Sequence, residues 1–290
     1  MSSTELTASV PASAFPTPGL YYVSVYEPGP GGGVSDPQPL AVGTFVSPGG
    51  IVSAADPTNA QLSPGAIMSI YGAGLSHTTM LAALPLPTNL GGTEVLVNNI
   101  PAPLIFVSPS QINFVVPWEA STTSQSQGTV VVQNMEVQTA PSQVPLLSSA
   151  PSVFTLNEQG IGQGAVLIAG TDVIAAPVGA FPGSRPAMRG EYVEIYATGL
   201  GPVDQPLPDG QPSSGPDSTI LVPTVFWNCE RTGPGNVSST PTYVGLAPGF
   251  PGLYQINVQV PETTDVPSGN AVPITFYTFP STNVFTIAIQ

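Results

Sequence analysis

A chain of 290 residues with three arginines, no lysine and 17 carboxylates carries a formal charge of −14 at pH 7. Binding to a phosphate backbone or an anionic membrane surface needs clustered cations, so both nucleic acid and such membranes are excluded as partners. Apolar residues at 41% and charged residues at 7% exclude charge-driven disorder, and the 31 glycines and 36 prolines are spread between apolar runs, which marks a folded chain rich in turns.

The length gives a prior of two domains, or two and a fraction. A single cysteine, Cys229, allows no intramolecular disulfide and reads as a small buried hydrophobe. Met1–Glu5 has neither the basic nor the apolar region of a signal peptide, so an export signal is expected outside this sequence. No run approaches the 18 apolar residues that span a bilayer.

The chain opens with half of a module. Leu6–Pro11 reads as a strand ending in Val-Pro, Pro18–Val25 as the next, Pro28–Gly33 as a hairpin turn and Leu40–Val42 as the return. Residues Leu6, Ala8, Val10, Tyr21, Val23 and Val25 would share one apolar face. Three strands leave that face and one edge uncovered. Completion is expected from upstream chain, from a strand of a neighbouring chain, or from docking through Phe45 and Val46.

Short β-rich runs follow, bounded by Gly, Pro, Asn or Ser: Glu94–Val97, Ile112–Val116, Thr129–Val132, Tyr192–Tyr196, Ile256–Val260 and Phe285–Ile289. Many short strands between turn signals mean a sandwich or barrel. They also repeat. Gly65–Leu75 matches Gly190–Leu200, Gln111–Pro117 matches Gln255–Pro261, and Val144–Leu146 matches Val272–Ile274. One module therefore occurs twice, with extra loop in the second copy that includes Pro202–Pro216.

Strand parity orients the repeat. Met68, Ile70, Ile112 and Phe114, with their partners Val193, Ile195, Ile256 and Val258, belong to the core. Ser69, Gln111, Asn113, Glu194, Gln255 and Asn257 face out. Five tyrosines, Tyr22, Tyr26, Tyr71, Tyr192 and Tyr196, also fall on outward parity. They either cover junctions between modules or form a platform for a sugar or protein partner.

The stretch VPASAFPTPGLYYVSVYEPGPGGGVSDPQPLAV near the start resembles the closing strands of an IPT/TIG domain, an immunoglobulin-like fold. PGAIMSIYGAGL, APLIFVSPSQINFVVPWE, APSVFTLNEQGIGQGAVL, RGEYVEIYATGLGPV and YVGLAPGFPGLYQINVQVP resemble the C-terminal domain of a paralogous acidobacterial (Solibacter) family. The resemblance implies a tail module of a large exported protein and supplies no catalytic residues.

Enzymatic constellations are weak. His77, the single histidine, sits in a loop and has no Gly-x-Ser-x-Gly elbow to serve. Glu191 and Glu194 differ by an odd number on a strand and so point to opposite faces. Asp209-Gly210 reads as a turn, with Asp204 in the same Pro-rich loop. One histidine and one distant cysteine make no zinc site, and no EF-hand or RTX-type spacing offers calcium one.

The expected fold is all-β, with tandem immunoglobulin-like (IPT-like) sandwiches: a partial module at 1–46, copy one at 47–159 and copy two at 160–290. The expected protein is non-enzymatic, without cofactor or catalytic metal. It would be a structural or adhesive module of an extracellular or cell-surface protein, able to self-associate or assemble into a fibre. Polysaccharide binding is the alternative and a secreted hydrolase the third reading.

Overall fold

The computed structural model describes residues 6–120, 126–205, 207–228, 237–277 and 282–290. Cys229 and Arg231 lie outside the described residues. The opening segment forms one hairpin, β1 (Gly19–Val23) with β2 (Gln38–Val42), paired antiparallel from Gly19 opposite Val42 to Val23 opposite Gln38. A bridge between Tyr26 and Val34 extends it toward the glycine-rich turn. Leu6–Val10 is not a strand, contrary to expectation, and Ala12–Ala14 is a single 3₁₀ turn. Among the described residues the proposed apolar face finds no cover: Val23 is 46% and Val25 50% exposed.

The first sandwich is built from β3 (Phe45–Ser53), β4 (Ile67–Ala73), β5 (Met80–Leu81), β6 (Thr93–Val97), β7 (Ile100–Pro101), β8 (Leu104–Val107), β9 (Gln111–Val115), β10 (Ser126–Asn134), β11 (Val137–Gln138) and β12 (Ser142–Leu146). One sheet runs β3-β4-β9-β8-β5, the other β11-β10-β6-β7 with β12 also on β10. Phe45 and Val46 already pair with β4, so they belong to this sandwich rather than to the opening module.

The second sandwich is built from β13 (Ser152–Val153), β14 (Gly162–Gln163), β15 (Val166–Ile168), β16 (Tyr192–Thr198), β17 (Thr224–Trp227), β18 (Val237–Ser239), β19 (Tyr243–Leu246), β20 (Tyr254–Gln259), β21 (Gly269–Tyr277) and β22 (Phe285–Ile289). Its sheets run β13-β16-β20-β19, with β15 also on β16, and β14-β22-β21-β17-β18. Ser152 pairs with Thr198, so this sandwich takes strand from before the expected break at 159/160.

The two copies share a strand plan. β4-β9-β8 corresponds to β16-β20-β19, and β12-β10-β6-β7 to β22-β21-β17-β18. Register agrees: Met68 faces Phe114 and Ile70 faces Ile112, while Val193 faces Val258 and Ile195 faces Ile256. All eight are fully buried, as parity requires. The third sequence match does not hold in space. Val144–Leu146 lies on β12, whose counterpart is β22, whereas Val272–Ile274 lies on β21, the counterpart of β10. Each sandwich has its own core, with Met68, Ile112 and Phe114 in the first and Trp227, Tyr254 and Phe276 in the second.

A candidate ligand groove between the sandwiches

Outward residues of β4 and β9 divide into two halves. Ile67 and Val115, paired in register, are apolar and buried because the second sandwich covers them, together with Leu86 and Ile105, through Phe154 and Phe250. Glycine permits the approach. At Gly252, φ is +76°, and a Cβ would stand 2.8 Å from Ile67 Cγ1 and 2.9 Å from the Gly65 carbonyl.

Polar groups lock the same junction. Ile67 N–H donates to Thr198 Oγ1 at 2.8 Å, and that hydroxyl donates to the Gly252 carbonyl at 2.8 Å. Asn59 Nδ2 donates to Ser152 Oγ at 2.9 Å, and Ser63 Oγ to the Gly199 carbonyl at 3.1 Å. The extra loop of the second copy straps back across the first: Leu86 N–H donates to the Gly210 carbonyl at 2.9 Å and Trp118 N–H to Asp209 Oδ1 at 3.1 Å. Asp209 and Gly210 form a turn, as their sequence predicts.

Burial pushes the Asp209 carboxyl up from 3.8 to about 6; the Trp118 N–H opposes this, while the charge and hydrogen bond of Glu119 add to it. A raised carboxylate pKa means that the folded state holds the proton more tightly. Stability from this group is thus full below pH 3.8 and lost as pH rises toward 6. At a half-exposed, solvent-screened group the loss should be about 1 kcal/mol. Asp209→Asn should abolish it, since an amide still accepts from Trp118 and donates to Glu119. Urea midpoints measured across this window should fall for the wild type relative to the variant. Parallel profiles would discard the assignment.

Beyond the covered half, β4 and β9 turn polar and the junction opens into a groove of about 580 Å³. Tyr71 sits opposite Gln111, and Ser69 opposite Asn113. Asn113 Oδ1 accepts from Ser69 Oγ at 3.1 Å and from Gln111 Nε2 at 3.0 Å. Among the described residues this leaves Gln111 Oε1 and Asn113 Nδ2 free to bond a ligand. The facing wall carries Tyr196, Phe154, Phe250 and the exposed Glu158. Tyr196 O–H donates to Glu194 Oε2 at 3.4 Å, and burial followed by the Glu194 charge raises its pKa. Asn283 fixes the wall, accepting from Val153 N–H at 2.8 Å and donating to the Gly160 carbonyl at 2.8 Å.

Of the five outward tyrosines, the fold brings Tyr71 and Tyr196 together on this groove. Tyr22 and Tyr26 stand on the opening hairpin, 65% and 70% exposed, and Tyr192 lies at the far end of β16. The five do not form one platform. Ser69 keeps outward parity yet is buried, because the second sandwich overlies it. Phe154 and Phe250 gave no sequence signal, lying outside any periodic run. The Gln-x-Asn pair was readable as outward, but not as a ligand contact.

The catalytic candidates stay apart. His77 is exposed in its loop. Arg185 holds Glu191 through two bonds of 2.8 Å and keeps its carboxyl below the usual range, while Glu194 Oε1 accepts from Gly170 N–H at 3.1 Å. Arg189 donates to the Thr263 and Val266 carbonyls. Both described arginines are thus engaged within the protein. Among the described residues, no helix is long and apolar enough to cross a membrane.

The profile of the IPT/TIG domain family matches residues 51–147. Residues 51–147 are an IPT/TIG domain. The match falls on the first complete sandwich and not on the opening hairpin, where the closing strands of such a domain were expected. The groove therefore lies where the IPT/TIG domain meets the second sandwich. No curated protein sequence matches the chain. Among solved structures, the gamma-CGTase of alkalophilic Bacillus clarkii is similar at 12% identity and a TM-score of 0.26, over 81% of this chain and 23% of that one. SGBP-B of the Bacteroides ovatus mixed-linkage glucan utilization locus, solved with a mixed-linkage heptasaccharide, is similar at 11% identity and a TM-score of 0.34, over 94% and 53%. The chain thus spans about a quarter and about half of these two proteins, and at such scores neither bears on what it binds.

Proposed function

We propose that this chain is a non-enzymatic adhesive module of an exported bacterial protein, working outside the cell or at its surface, and that it adheres by binding neutral polysaccharide in the groove between its sandwiches. The observation that carries this reading is the pairing of two groove-lining aromatics, the exposed Tyr71 and the half-buried Tyr196, with the half-satisfied amides of Gln111 and Asn113. Sugar rings offer C–H faces for aromatic stacking and hydroxyls that both donate and accept, so this mixture suits them. Charge selects the kind of sugar. Among the described residues the groove is lined by no cation, Glu158 stands at it, and the chain carries −14, so acidic glycans are repelled. The hydrogen-bonded junction gives a preformed site and a low ordering cost. IPT/TIG domains are typically non-catalytic, which fits a binding role. The resemblance to exported acidobacterial tail modules fits the location.

A glycan array tests this directly. Neutral polysaccharides should be retained, with anionic ones not bound. Tyr71 is 42% exposed and outside the core, so Tyr71→Ala should leave the fold intact. Its affinity should fall about tenfold, the ~1.4 kcal/mol expected from one lost stacking contact. An array without a bound neutral glycan, or an unaffected Tyr71→Ala, would overturn the proposal.

A further inference from the structure

The repeat duplicates a surface as well as a core. Tyr196 faces Gln255 across β16 and β20, as Tyr71 faces Gln111, and Asn257 stands where Asn113 stands. Gln255 Nε2 donates to Asn257 Oδ1 at 2.8 Å, repeating the Gln111–Asn113 bond. An aromatic ring lies opposite each asparagine: Phe106 opposite Asn113 and Tyr243 opposite Asn257. Core packing fixes the inward residues of these strands and does not require the same outward set twice.

In the second sandwich this array is half-buried and borders its own concavity of about 270 Å³, walled by Tyr243, Pro216 and Pro248. The two concavities adjoin. Leu253, just before β20, lines the groove, while Gln255 and Asn257, two and four residues on along β20, line the second site. Four residues of strand span about 13 Å, more than one sugar ring. Tyr196, on the groove, is the cross-strand neighbour of Gln255, which puts their Cβ atoms about 5 Å apart.

We infer that Gln255, Asn257 and Tyr243 form a second subsite, continuous with the groove, and that the two together hold a linear neutral glycan of several sugars. This rests on the groove reading above. One chain on two adjoining subsites gains from the second contact at little entropic cost, so affinity must grow with chain length until both are filled.

Calorimetry with neutral gluco-, xylo- and manno-oligosaccharides, from disaccharide to hexasaccharide, tests this on the full chain. For the series that binds, wild-type affinity should rise by at least about tenfold with length. The Gln255→Ala/Asn257→Ala variant should bind the disaccharide like the wild type but lose the gain with length. Tyr71→Ala should weaken every length. Both amides are half-buried on the outward face, away from the core, and bond each other, so the double variant should keep its thermal melt; Gln255→Ala alone repeats the test should it unfold. Length-independent binding, or a double variant matching the wild type on the hexasaccharide, overturns the second subsite and leaves the groove standing. No binding of any series overturns both.

Discussion

Truncating Ile256 to alanine should cost the protein about 2–5 kcal/mol, the range for a packed aliphatic side chain whose cavity cannot collapse. Ile256 is fully buried in the second core, faces Ile195 on β16 and Val244 on β19, and lies at the centre of a three-strand ladder paired on both sides. Neither neighbour strand can move inward without breaking its own pairs. Ile112 occupies the equivalent place in the first sandwich, between Ile70 and Val107. Ile112→Ala should therefore lose a similar amount from the first core. Urea unfolding followed by tryptophan fluorescence measures both, with Trp227 reporting from the second core. A loss well under 1 kcal/mol at Ile256 would mean that the repeat is aligned on the wrong face.

Much of this was legible because strand parity is a strong rule. Once Gly65–Leu75 and Gly190–Leu200 are aligned, the period of two assigns Met68, Ile70, Val193 and Ile195 inward without further information. The same parity exposed Tyr71, Gln111 and Asn113. It could not say which outward residues another sandwich would cover. Ile67 and Val115 are apolar on the outward face, and that was the available sign of a docking surface; their counterparts Tyr192 and Gln259 lack it, and Tyr192 stays exposed. The third repeat match failed because Val-Pro-apolar is a local pattern set by where proline is tolerated. Pro145 sits on β12, which pairs with β10, and Pro273 lies just past the last β17–β21 pair, Trp227 with Ile274. Two unrelated strand positions satisfy that tolerance equally well. The aromatic wall was illegible for another reason: Phe154 and Phe250 lie in connections, where no period tells a ring that lines a groove from one that plugs a core.

Introducing an aspartate at position 67 should separate the two sandwiches. Ile67 is 6% exposed and packed with Val115 and Ile105 under Phe154 and Phe250, and the two described arginines are engaged elsewhere, with Glu191 and with the Thr263 and Val266 carbonyls. Burying an unpaired charge there should cost roughly 3–5 kcal/mol, more than opening the junction and letting water in. The cost falls on the interface because Ile67 lies on the outer face of β4, away from Met68 and Ile70, which hold the first core together. Ile67→Asp should thus keep both sandwiches folded while splitting one unfolding transition into two. It should also lose glycan binding, since the groove needs Tyr71 from one sandwich and Tyr196 from the other. Tyr192→Asp is the matched control. It changes the equivalent position of the second copy, where the side chain is 41% exposed, and should shift stability by no more than about 0.5 kcal/mol. Calorimetric scans of the two variants separate the outcomes. A single transition with unchanged binding in Ile67→Asp would show that the strap at Asp209–Gly210 and the Thr198 bonds hold the junction without the apolar cluster.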